Sequence, residues 1–259
     1  MAVLCGVSIQ SRSVAQEAAA QPQLEIAPDT KPVLLTLTLR QQAVVRSARA
    51  LVGRALAEHN EERRLTAAEI ASDTMARLLS TNKGQPAIEL ELLSCNARLV
   101  ARTKNATAAA PIVHRQHAIL AEVFETDQCE RWVTAEVDRL RNSRYYDLAI
   151  QHLSEIIEKS PDSQMAARFS LLIGDILVQE AYPHGPYEAA VRQYSAVDDR
   201  YRKVFPELAD AARLRQAKTL WRAGRTSEAR ELFMVLAEGT DYVIAEEARH
   251  YPELMSANK

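Results

Sequence analysis

His114 and His117 stand three positions apart in "HRQHAILAE", with Glu122 five positions further on. Residues at that spacing share a helical face, and two imidazoles so placed could hold one metal ion. A metal requires a third and a fourth ligand, and no nearby His/Cys cluster supplies them, so polar helix surface is the better reading. Asp175 with Glu180, and Glu246 with Glu247, offer carboxylates for proton transfer. Helices rich in charge form such pairs freely, as solvated faces or as ion pairs. Ser and His occur without the strand–turn–helix surroundings that expose a nucleophile. Gly53 in "LVGRAL" is isolated and makes no phosphate cradle. Asn105-Ala106-Thr107 fits a glycosylation triplet by chance as easily as by design. No metal, no cofactor and no catalytic residue is expected. An enzyme or enzyme subunit with its site in residues 33–125 is the rival, although nothing there converges on a site.

The elements that must position these groups are helices. The chain has 259 residues, a net charge of −2 and seven Gly, and it is rich in Ala, Leu, Arg and Glu. Those residues lose little side-chain entropy in a helix. The near-neutral balance gives no electrostatic case for nucleic acid, which needs clustered Lys and Arg. No apolar run reaches the roughly 18 residues that span a bilayer.

Residues 1–32 hold Pro22, Pro28 and Pro32, show no helical period, and read as a leader plus a disordered, extended linker. The opening "MAVLCGVSIQ" is apolar, and Ser13-Val14-Ala15 has the small-x-small form of a secretory cleavage site. Export fits this opening, and so does a floppy Ala/Gln-rich tail of a cytoplasmic chain. Leu4 is too bulky for Cys5 to read well as a lipoprotein acceptor. If the leader is removed, Cys95 and Cys129 remain, either as a bridge between helices or as two reduced thiols. "VLLTLTLR" (Val33 to Arg40) alternates like a short strand but has no mate, which favours the start of a helix. Helical segments then follow at 41–60, 66–82, 86–105, 112–124 and 127–142. Thr66 to Glu69 matches a capping box, and Pro86 suits a first helical turn.

One phrase recurs in the second half. "RYYDLAIQHLSEI" from Arg144, "GPYEAAVRQYSAV" from Gly185 and "GRTSEARELFMVL" from Gly224 share a break, a small central residue and large residues around it. The central Ala149, Ala190 and Ala229 lie 41 and 39 residues apart. Self-similarity at about forty residues marks a helical-repeat array. A small residue at the middle of a helix allows a close crossing, and Tyr146, Leu153, Tyr187, Tyr194 and Phe233 fill the space beside it. Ala166, Gly174, Ala212 and Ala217 do the same on the preceding helices. Pro161 and Pro206 end one pair and set the next. A single hairpin cannot bury its apolar face, whereas stacked neighbours share a core.

These marks resemble the tetratricopeptide repeat: Gly174, Gly185, Tyr187, Ala190 and Tyr194, then Tyr146, Ala149 and Pro161, then Ala217, Gly224, Ala229 and Phe233. The longer period is most similar to the repeats of bacterial cell-envelope proteins of the Tol–Pal coordinator and barrel-assembly lipoprotein types. The good match covers about residues 130 to 256. Arg144 stands where the turn Gly is expected, and "QEAYPHGPY" is longer than the usual turn. The resemblance implies an all-α fold, an α-α superhelix or solenoid of stacked hairpins. Its parts are the leader and linker at 1–32, degenerate helical hairpins at 33–129 and clear repeats at 130–259. It also implies a protein or peptide partner held in a concave groove lined by the first helix of each pair, with association with envelope complexes. The groove positions are Arg131, Asp138 and Arg141 in one copy and Leu214, Lys218, Trp221 and Arg222 in another. Trp221 with Arg222 could clamp a peptide backbone or an acidic chain end; Trp221 could equally be core between pairs.

Overall fold

The computed structural model describes residues 37–123, 126–183 and 185–257, with backbone alone at 123, 126 and 252–257. Every described residue belongs to one compact unit, residues 33–259. The leader, Cys5 and Ser13-Val14-Ala15 therefore lie outside the described residues, as do positions 33–36 of the alternating stretch.

The described residues form eleven α-helices, one short 3-10 turn and no strand. The helices are α1 (Leu39–Ala57), α2 (Glu61–Thr81), α3 (Pro86–Thr103), α4 (Ala110–Val123), α5 (Thr126–Asn142) and α6 (Tyr146–Lys159). They continue as α7 (Gln164–Ala181), α8 (Glu188–Tyr201), α9 (Pro206–Arg222), α10 (Thr226–Ala237) and α11 (Tyr242–Ala257). The expected all-α fold of stacked hairpins is what the chain adopts. The boundary at residue 130 falls in the first turns of α5.

Local chemistry fixes the ends. Thr38 caps α1 through the Gln41 amide, and the Gln41 side chain accepts from the Thr38 amide in return. The alternating stretch thus runs into a helix. Pro86 and Pro206 open α3 and α9, where a missing N–H costs nothing. The box expected at Thr66 does not form. α2 starts earlier, capped by Asn60, and the Thr66 hydroxyl donates back to the Glu62 carbonyl instead. Acidic Glu61 and Glu62 beside the Asn60 cap supply a stronger start than Thr66 does. The turn after α5 puts Arg144 at φ +61°, and the turn after α9 puts Gly224 at φ +78°. Both breaks need a left-handed residue, which Gly supplies freely and Arg only at a cost.

The interior is a succession of apolar clusters in chain order. One joins α1, α2 and α3 around Met75, Ile88 and Leu92. The next runs from α3 to α7 through Leu120, Val133, Leu148 and Leu153. Tyr194 and Val197 centre a third between α7 and α9, and Phe233 a fourth that reaches α11. Ala149, Ala190 and Ala229 are all fully buried at the crossings. A Cβ added at Gly174 would stand 2.7 Å from Cδ1 and Cζ of Tyr194 and nearer still to Cε1. That is the close approach which the small residues predict.

Successive helices pack in sequence, and first helices also touch the next first helix at α1–α3, α7–α9 and α9–α11. The stack departs from this rule at α6, on which α4 packs and which α3 also touches.

Candidate functional site

Each first helix reaches the next through charged or polar side chains, so α1, α3, α5, α7, α9 and α11 share one wall. Arg49 on α1 pairs with Glu91 on α3, and Glu91 lies 3.7 Å from Arg139 on α5. The half-buried Arg139 is also paired with the buried Glu136. From α5, Arg141 Nε donates to Gln179 Oε1 on α7 at 3.1 Å. Asp175 on α7 accepts the Tyr194 hydroxyl at 2.7 Å and faces Arg215 on α9 at 3.4 Å. Burial and the Asp175 carboxylate together hold the Tyr194 phenol protonated, well above its ordinary pKa. Lys218 on α9 pairs with Glu247 on α11 and lies over the Tyr251 ring, 5.6 Å from its centroid.

The wall gathers most of the groove positions read from the sequence. Asp138 is exposed and pairs with Arg141 at 3.6 Å. Arg131 is half-buried and its Nε donates to the Asp127 carbonyl one turn back. Arg222 is exposed, and its charge acts on both Tyr194 and Tyr251. Leu214 differs from expectation, whereas Trp221 lies between its two readings, groove and core. Leu214 is not on the wall: it is buried with Ala217, Leu220 and Phe233, because an apolar side chain here completes the α9–α11 cluster. Trp221 is half-buried and meets Tyr251 edge-on, at 5.3 Å and 85° between ring planes, so α11 covers part of it. The α5 trio and the α9 residues are separate groups, with α7 between them.

The sequence reading missed Glu91, Arg139, Gln179 and Arg215, and it named Asp175 only as a carboxylate of a charged helix face. A signal for them exists. Arg49 and Glu91 are 42 residues apart, Arg141 and Gln179 38, and Asp175 and Arg215 40. Complementary polar residues one repeat apart on successive first helices are the trace a stacked wall leaves in a sequence.

The histidine pair of the opening motif splits. His114 is exposed and lies 3.3 Å from Glu155 on α6. His117 is not polar surface: it is buried, with Nε2 3.2 Å from Nδ1 of the buried His152 on α6. The turn of the helix points His114 to the rim of the α4–α6 contact and His117 into it. Among the described residues no three His, Cys, Asp or Glu side chains gather to hold a metal. Burial lowers both buried imidazoles to a pKa of about 3, with His152 and Lys159 adding to the effect on His117 and Arg139 to that on His152.

Cys95 and Cys129 are thiols and form no bridge. The Cys129 Sγ donates to the Leu120 carbonyl at 3.4 Å. Of the carboxylates named from sequence, Asp175 faces Arg215, Glu246 pairs with Arg249 and Glu247 with Lys218. None of the described helices is long and apolar enough to cross a membrane.

No family model matches the chain. No curated protein matches it. Two solved structures of a Podosopora anserina kinesin light chain-like protein with nearly identical TPR-like repeats align with it. One is 13% identical over 77% of this chain and 94% of that chain, with a TM-score of 0.37. The other is 12% identical over 81% and 97%, with a TM-score of 0.39. The stack of helical hairpins stands on the chain's own crossings, turns and forty-residue period.

Proposed function

We propose that this chain is a non-catalytic protein–protein interaction scaffold or adaptor that holds a peptide or protein partner along the wall of first helices. The observation carrying this reading is the polar ladder from α5 to α11. Of its exposed members, Gln179 is held by Arg141 on the neighbouring helix, Asp138 pairs with Arg141 within α5, and the charge of Arg222 acts on Tyr194 and Tyr251. Preorganised polar groups on rigid elements lose little entropy when a partner binds. Arg131, Arg141, Lys218 and Trp221 complete the contact surface, and Leu214 belongs to the core beneath it. The partner lies in the concave groove between the first helices. An exported chain working with envelope complexes is favoured by the leader-like opening alone, and the mass of the native N-terminus tests that placement. An intact Met1 would leave the cytoplasmic adaptor.

Partner binding is tested by quantitative capture from native membrane and soluble extracts with the wild type and two folded variants. Arg222→Glu and Arg141→Glu together change the wall, while Arg192→Glu changes an exposed position on α8. Recovery of the same proteins should fall about tenfold or more with the wall variant, ~1.4 kcal/mol, and stay unchanged with Arg192→Glu. Equal recovery by all three would refute the wall as the contact surface.

A further inference from the structure

We propose that the buried His117–His152 pair is a proton-released latch, holding the α1–α4 half of the array to the α5–α11 half. The place is where the stacking is irregular, with α4 packed on α6 and α3 touching it as well. Three polar contacts bind the first half to α6. Gln151 donates to the Ala106 carbonyl at 2.6 Å, His114 meets Glu155, and His117 meets His152. Only the last is buried on both sides.

A single hydrogen bond between Nε2 of one ring and Nδ1 of the other needs one N–H and one lone pair. Neutral rings satisfy it. Adding one proton places a charge in an apolar site, and adding a second sets two N–H groups against each other across 3.2 Å. The remaining His152 Nε2 is buried with no hydrogen-bond partner, so it has no acceptor to stabilise an imidazolium. The rings are 5.3 Å apart between centroids, and Trp132 on α5 lies 6.0 Å from His152.

The charged groups around the pair add to the effect. On α6, Lys159 bears on His117, and Glu155 is taken by His114. On α5, Arg139 bears on His152, its carboxylate Glu136 is already paired with it, and Glu130 stands at the cleft with Lys159. On α4, His114 adds a like charge once protonated. On α3, Glu89 is held by Arg115 and Glu91 by Arg49. Protons have a route, because His117 lines a cleft of about 220 Å³ with Leu120, Cys129 and Ile156.

The sign follows from linkage. In the closed array both imidazoles have pKa values of about 3, against an ordinary 6.5. Below pH ~6.5 the open form binds more protons, so the closed form is fully favoured above that value and loses ground as pH falls toward 3. Each pH unit in that window raises the open population up to about tenfold per histidine, or a hundredfold for the pair.

The test is pH-dependent hydrogen exchange on the full chain at 7.5, 6.5 and 5.5, corrected for intrinsic rates, beside a His117→Gln/His152→Gln variant and a His114→Gln control. Exchange across α4 and α6 should accelerate at least tenfold per pH unit below 6.5 in the wild type and in the control, and not in the double variant. If the double variant does not fold, nitrogen chemical shifts of the imidazoles in the wild type decide. Two rings still neutral at pH 5.5 together with faster α4 and α6 exchange support the latch. Rings that titrate near 6.5 in the closed chain, or exchange in α4 and α6 that tracks α8 and α9 at every pH, overturn it.

Discussion

Gly174 shows most plainly how one residue sets a crossing. Its missing Cβ is occupied by the Tyr194 ring, and that ring cannot swing away, because it is buried and its hydroxyl is bonded to Asp175. Gly174→Ala would gain roughly 1 kcal/mol of helix propensity and lose about 1–3 kcal/mol or more to overpacking. A net loss is expected, read as a lower midpoint in urea. Shortening the ring in Gly174→Ala/Tyr194→Leu should recover part of it. If Gly174→Ala is as stable as the wild type, the close approach of α7 and α8 is wrong. This residue was legible from sequence as a small position in a repeat. Leu214 was not, because the resemblance alone placed it outward, whereas the wall on α9 is defined by Arg215 and Lys218 one residue on and three beyond that.

Elements were the most legible level. Each helix read from the first half has its counterpart among α1 to α5, since apolar period and proline placement act locally. Starts were less secure, and the Thr66 box failed because a capping sequence inside a continuing helix has no free N–H groups to satisfy. The role of α11 was not legible at all. It depends on Tyr251 stacking on Phe233 at 4.4 Å and meeting Trp221 edge-on, a contact set by tertiary geometry rather than by local pattern. Tyr251→Ala should destabilise the chain by about 2–4 kcal/mol, in the range of large-to-small replacements at partly enclosed sites, and shift Trp221 emission to the red. Unchanged stability and emission would show that α11 does not close the array. The histidines make the same point: three-residue spacing correctly put His114 and His117 on one side of α4, but only the α6 partner decides which is buried.

At the scale of the whole molecule, a forty-residue period predicted the stack, and the cross-helix polar pairs carry that period back into the first half, where Arg49 and Glu91 stand one repeat apart. The continuity was hidden in sequence because the first half lacks the Gly and Tyr marks that make the later repeats visible. It was written instead in charge pairing between helices far apart in the chain. The wall is thus a property of the array and of no single pair. Carboxyl footprinting of the chain with and without its captured partner tests this most directly. Bound partner should protect Asp138 while Glu188, Asp199 and Glu231 on the second helices label as before. Protection of those three with Asp138 still reactive would contradict the account.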